Sequence, residues 1–260
     1  MFDFMQLAAN ENMKIYRRPR TWIMLGLLLL LAGGSSVLGY AFSDMKPSMW
    51  EIMSFQSMLL FPLVTIFTVV ISADSVAGEF SSGTIKLLLI RPWSRSKILL
   101  SKYAALLLFA LLFSAALFLF TVLANGALFG FDGDYRFDVR PDMPPYAYMF
   151  LIYVSMFAGL IVIVTLSFMI STVFRSGGLA IGLSIFILLG GSLVTGILSV
   201  FDYEWIKYLL FFHTDLTQYL NKRPMLEGMT LGFSLAVLAG YYIVFVALTW
   251  FVFNKRDVAA

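Results

Sequence analysis

Six stretches of this chain contain no Asp, Glu, Lys or Arg, at residues 21–43, 52–73, 103–131, 143–174, 176–201 and 228–253. Each can supply the roughly 20 residues that an α-helix needs to cross a ~30 Å hydrocarbon core. In lipid, only helices and closed barrels satisfy their own backbone hydrogen bonds, and barrel strands would read as short alternating segments. These runs are long and apolar on all sides. The expected fold is therefore an all-α membrane protein, one domain over residues 1–260, with helices crossing at 21–43, 52–73, 98–124, 146–174, 177–200 and 228–253. Charged residues make up only 13% of the chain, against about 25% in a soluble domain. Trp22, Trp50, Trp93, Trp205 and Trp250 lie at or near run ends, where an amphipathic indole prefers the membrane interface.

The first run has a basic flank and small residues after it, "YRRPRTWIMLGLLLLLAGGSS", in the manner of a signal peptide. Its long polar lead and an apolar run that continues past the small residues favour a retained helix. Lys and Arg mark the cytoplasmic side of short loops. Counting alternate segments places twelve basic residues on the side of the termini and six on the other, while ten of the fifteen acids fall on that other side. Both termini are thus expected in the cytoplasm, and the chain in the inner membrane of a bacterium as a multi-pass protein. There is no cysteine, hence neither a disulfide framework nor a thiolate metal site.

Residues 2–18 carry Phe2, Met5, Ala9, Met13 and Tyr16 at helical spacing, with basic residues at the end. An amphipathic helix along the membrane interface is expected there. Pro62 falls inside the second run and should kink that helix, because it removes one backbone donor. An external loop rich in Gly, Asp and Pro follows residue 124. The connection at 202–227 carries Trp205, Leu209, Phe212, Leu216 and Tyr219. It reads as one or two short helices at, or dipping into, the outer interface. In the fifth run Gly178 and Gly182 are four apart, a spacing that lets helices approach closely. A second copy or a paralogue is the expected partner for that face.

Several chemistries are missing. There is no GxxxxGK[ST] phosphate loop. The lone histidine, His213, has no nucleophile or metal cluster around it, and reads as an interfacial His with a polar tip. No acid falls in the middle of an apolar run, where one would mark an ion or proton relay. The fourteen methionines are scattered and read as packing residues. An enzyme is disfavoured, and so is an ion-coupled secondary transporter, which usually shows buried charges or interrupted repeats. A non-transporting interaction protein stays open. A transport subunit powered by a separate protein needs only a path and a docking surface, and fits best. Nothing points to nucleic acid.

The stretch "EFSSGTIKLLLIRPWSRSKILLSKY" separates the second and third runs. It resembles the cytoplasmic segment of ABC-2 type permeases, the membrane subunits of one class of ATP-binding-cassette transporters. The pattern stands here as Glu79, Gly83–Thr84, Pro92-Trp93-Ser94-Arg95 and Lys102. The family's closing Phe-x-x-Arg-Asp element matches Phe253-Asn254-Lys255-Arg256-Asp257, and the lead "ENMKIYRRPRTW" is similar as well. The resemblance implies a coupling segment over 79–97 that docks on a cytosolic ATPase through Glu79, Phe80, Gly83, Thr84, Lys86, Leu88, Pro92 and Arg95. It further implies that ATP and Mg are bound by that ATPase and no cofactor by this chain. Two permeases would assemble with two ATPases and export an antibiotic peptide, drug or lipid-like molecule across the bilayer. In that reading Glu79 serves as a charged contact or as the acid at the start of the coupling helix. Gly83 serves close approach to the partner or the turn itself.

Overall fold

The computed structural model describes residues 2–42, 47–85, 93–131, 135–201 and 203–255. Six helices there are long and apolar enough to cross a membrane. The chain order is α1 (Phe2–Tyr16), α2 (Pro19–Phe42), α3 (Met49–Ser81), α4 (Arg95–Phe129), α5 (Pro145–Val173), α6 (Gly177–Leu198), α7 (Thr217–Leu220) and α8 (Leu231–Lys255). Two 3₁₀ turns, Glu204–Tyr208 and Leu210–Phe212, precede α7. The membrane-length helices are α2 to α6 and α8.

Two of them outrun the uncharged stretches that announced them. The 52–73 run becomes α3, which takes in Glu51 at its start and Asp74 and Glu79 near its end. Ser48 and Glu51 form a reciprocal capping box: Trp50 N–H donates to Ser48 Oγ, and Ser48 N–H donates to the Glu51 carboxylate. At the other end Gly83 adopts φ 71°, the left-handed conformation that stops a helix and suits glycine. Pro62 lies within α3, a helix of 33 residues. The 98–124 span likewise extends to Arg95–Phe129, begun by Ser94 Oγ accepting from Lys97 N–H.

The centre of the bundle is α3, α4 and α5. Half of the apolar windows of α3 and α5 is buried, but only 11% of that of α6. The Phe109 and Phe113 rings of α4 are fully buried and stand 4.3 Å apart. Polar ties cross the apolar core where helices meet. Ser171 Oγ of α5 accepts from Val76 and Ala77 N–H of α3, and Ser72 Oγ donates to the Val164 carbonyl. Gln56, fully buried, sets its amide nitrogen 2.8 Å from Ser36 Oγ of α2 and accepts from Asn125 of α4 at 2.7 Å. Each partner removes the cost of an unpaired polar group in an apolar surrounding.

Two elements carry more than the sequence reading gave them. Helix α1 is present and docks on α4 through Leu7, Ile15 and Tyr16, which pack on the core, with Glu11 buried. Met5, Ala9 and Met13 of the expected stripe stand exposed. The connection before α8 does more than lie at an interface. Its Thr214 carbonyl sits on Gly159, so close that a Cβ there would come within 1.9 Å. Gly159 is the central residue of the 29-residue α5, so the segment turns back to the mid-depth of the bundle. The Phe211 ring lies against Gly191 of α6, where a Cβ would come within 2.2 Å of it. Of the expected apolar stripe, Phe212 and Leu216 are buried and Trp205 is exposed.

Candidate functional site

The pattern Glu79…Lys102 closes on itself in three dimensions. Helix α4 places Lys102 seven residues beyond its first residue, Arg95, at 3% exposure. Its ammonium donates to Glu79 Oε1 at 2.7 Å, to Glu11 Oε2 at 2.8 Å and to the Ser75 carbonyl at 3.3 Å. An ammonium has three hydrogens, and each meets one acceptor. Lys14 closes the ring from α1, 2.6 Å from Glu11 Oε1 and 3.2 Å from Glu79 Oε1. A second knot lies alongside: Asp74 Oδ2 accepts from Arg18 at 2.9 Å and from Arg20 at 2.7 Å. Three carboxylates thus face four cations around a cavity of about 370 Å³. Among the described residues Glu79 Oε2 and Arg20 Nε have no hydrogen-bond partner.

Titration follows from this arrangement. Burial alone would raise the Glu11 pKa, but the attractions of Lys102 and Lys14 outweigh it and hold the carboxyl below its ordinary 4.5. For Lys14, burial would lower the pKa, and the pull of Glu11 and Glu79 raises it above 10.5. Each of the three carboxylates is engaged by at least one cation. What it can do is mechanical. It locks the ends of α1, α3 and α4 together where the connection after Ser81 leaves the bundle. Ser81 extends the lock to α6, donating to the Arg175 carbonyl at 3.1 Å and accepting from Gly177 N–H at 2.9 Å. Arg95 extends it to α8 by donating to the Asn254 carbonyl at 3.0 Å.

The residues singled out by resemblance therefore fall in different places. Glu79 is a corrected case: it lies in the last turn of α3, not at the start of a helix, and its side chain turns inward. Arg95 begins α4 and reaches the last turn of α8. Phe80 packs against the core. Gly83 and Thr84 are exposed, and a Cβ on Gly83 would meet nothing within 4 Å, so the positive φ is what its position demands. Lys86, Leu88 and Pro92, like Arg256 and Asp257, lie outside the described residues. Gly178 and Gly182 face open space, whereas two other α6 glycines are in close contact within the chain, Gly177 against Asp74 and Gly78 of α3 and Gly191 against Phe211. Glu11 was not singled out by the sequence. Its signal was an acid on a helix otherwise followed by basic residues.

A second site opens at the opposite, distal end. A cavity of about 760 Å³ lies between α3, α5, α6 and the segment before α7. Hydroxyl and apolar side chains line it together with the Asn221 amide and two carboxylates, Glu51 and Asp215, and among the described residues no Lys, Arg or His does so. His213 stands nearby, fully buried, 2.7 Å from both Ser234 Oγ and the Lys207 carbonyl. Tyr219 hydroxyl also meets Ser234. The sequence reading of an interfacial His with a wet tip gives way to a ring with both nitrogens satisfied.

Six membrane-length helices, polar ties between them and charges gathered at the ends define a multi-pass membrane protein. The chain belongs to the family described as Protein of unknown function (DUF2705), which it matches over residues 22–259. It is 32% identical to "Uncharacterized protein YhcI" of Bacillus subtilis (strain 168), with 98% of this chain and 99% of that protein covered. It is 30% identical to "Uncharacterized membrane protein YdbK" of the same organism, over 75% of this chain and 78% of that one.

Proposed function

We propose that this chain is the membrane-spanning permease of an export system driven by a separate ATP-binding-cassette ATPase. Its termini lie in the cytoplasm, and its cargo is amphipathic or hydrophobic. The observation that carries the reading is the lock around Lys102. Glu79 and Lys102 bracket the connection that resembles a coupling segment, and they are ion-paired to each other and, through Glu11 and Lys14, to α1. A force applied to the exposed turn at Ser82, Gly83 and Thr84 would pass into α3 and α4 without being lost in a loose loop. The excess of basic residues at this end supports a cytoplasmic position, where such an ATPase is found. A second permease would complete the assembly, and the open face of α6 at Gly178 and Gly182 suits it.

The test is capture from native membranes. The tagged chain should bring down a protein whose peptides include a GxxxxGK[ST] loop. Thr84→Trp, which alters an exposed side chain at the turn and gives up its hydroxyl contacts with Ser82 and the Glu79 carbonyl, should reduce that capture at least fivefold while membrane insertion is unchanged. Capture of no such ATPase by the wild type would overturn the reading. One observation favours an ion-coupled carrier instead: Asp215 is a carboxylate on a segment that returns to the mid-depth of α5. Uptake or export that follows an imposed ion gradient in vesicles lacking ATP would establish that alternative.

A further inference from the structure

The distal cavity plays no part in the lock, and its character is specific. We propose that it binds an amphipathic cation, an apolar body bearing an amine or onium charge, with Asp215 as the group that pairs with that charge. The inference rests on the transport reading and names its cargo class.

Size and depth come first. About 760 Å³ falls within the 300–1,000 Å³ usual for sites that enclose a small molecule. The wall on α3 runs from Glu51 in the first turn to Thr65, the middle residue of that helix. Fourteen residues at 1.5 Å each make a depth of about 21 Å. The cavity therefore reaches from the distal surface to the level where an apolar cargo is most stable.

Charge comes second. Asp215 follows Thr214, whose carbonyl lies against the midpoint of α5. Its side chain is nonetheless exposed, because it borders the cavity. Thr217 holds it in place by donating its N–H and its hydroxyl to Oδ1. Among the described residues Oδ2 has no partner, and no Lys, Arg or His of theirs lines the cavity. A carboxylate at such depth is costly to keep and marks a path or a binding site. An anionic cargo would be repelled by Asp215 and again by Glu51 at the mouth. A neutral hydrophobe would cover the carboxylate and leave it unpaired, which costs more than leaving the cavity wet. A bare metal ion would gain nothing from the apolar wall, and no cluster of three ligating side chains exists among the described residues. A cation with an apolar shell satisfies both the wall and the charge.

Tetraphenylphosphonium and tetraphenylborate share a shape and differ in the sign of charge, so they isolate the claim. The purified chain, alone in detergent micelles, is dialysed to equilibrium against each ion, with empty micelles as the blank. Saturable binding of the phosphonium is expected, with the borate at least tenfold weaker. Asp215→Asn keeps the Oδ1 acceptor for Thr217 and should weaken phosphonium binding about tenfold, the loss of one charge-assisted contact. Ser192→Trp, which fills the cavity from α6, should abolish saturable binding and serves if the first variant fails to fold. Equal affinity for the two ions, or phosphonium affinity unchanged in a folded variant, overturns the proposal. No ATPase is present, so this result stands apart from the capture experiment: a cation site with no ATPase partner refutes coupling alone, and the converse refutes the cargo class alone.

Discussion

At Lys102 three donors meet three acceptors in a site that is 3% exposed. Removing the ammonium strands Glu11 and Glu79 as neighbouring buried carboxylates, and breaking a buried pair from one side costs about 3–5 kcal/mol. Lys102→Met should therefore lower the thermal unfolding midpoint in detergent strongly. Adding Glu11→Gln and Glu79→Gln to it should restore part of the loss, because the stranded charges are then gone. A different mechanism acts at Gly159. A Cβ there would lie 1.9 Å from the Thr214 carbonyl, and backbone cannot swing aside as a flexible side chain can. Gly159→Val should expel the segment around Thr214, costing about 1–3 kcal/mol by overpacking. Faster hydrogen exchange at residues 211–217, with α5 itself still protected, is the expected reading.

Helix α1 is attached by charge as well as by the packing of Leu7, Ile15 and Tyr16, and its attachment should follow pH. The Glu11 pKa is held below its ordinary 4.5. Its contribution is complete above that value and is lost as pH falls through the lowered one. The Lys14 pKa is raised above 10.5, so its contribution is complete below that value and is lost as pH rises through the raised one. Amide exchange of α1, normalised to intrinsic rates, should be flat between these limits and should climb in acid. The segment before α7 follows His213. Burial lowers its pKa below 6.5, against a smaller opposing effect of the Lys207 carbonyl. That ring therefore favours the folded segment fully above 6.5, and the benefit fades as pH falls from 6.5 towards the lowered value. Acidification from pH 7.5 to 5.5 should raise exchange at residues 204–221, and His213→Gln should remove that pH dependence.

For the whole molecule the absence of cysteine provides a clean background for labelling. A single Cys at Lys222 should react with an impermeant maleimide in intact cells, and one at Ser82 only after permeabilisation. Swapped reactivity would put the Lys102 lock outside and remove any contact with a cytosolic ATPase. Helix α6 is the least buried of the spanning helices. A Cβ at Gly178 or Gly182 meets nothing within 4 Å in the chain, so both can be replaced with Leu. A fall in crosslinked dimer with unchanged monomer stability is the outcome expected of a face between two copies.

Six spanning helices, the short helix before them and the helical turns before α8 could all be read from residue order. The reason is that a bilayer demands about 20 apolar residues per crossing, a demand satisfied along the chain itself. The capping residues Ser48 and Glu51 and the stop at Gly83 were local features too, though the helix ends outran the apolar runs because Asp74 and Glu79 are neutralised by partners distant in sequence. What no local pattern contained was which charges meet. Glu11 and Lys102 are 91 residues apart, and the same acid alone on α1 would have read as a solvated one. Asp215 passed for an external residue because it falls in the connection between the fifth and sixth apolar runs. Only the packing of Thr214 on Gly159 carries it to mid-depth, where water is scarce and a carboxylate needs a reason to be there. Hydropathy is a property of segments, so the sequence determined the crossings. Electrostatic pairing depends on distance through space, so the tertiary structure alone decided the lock and the cavity.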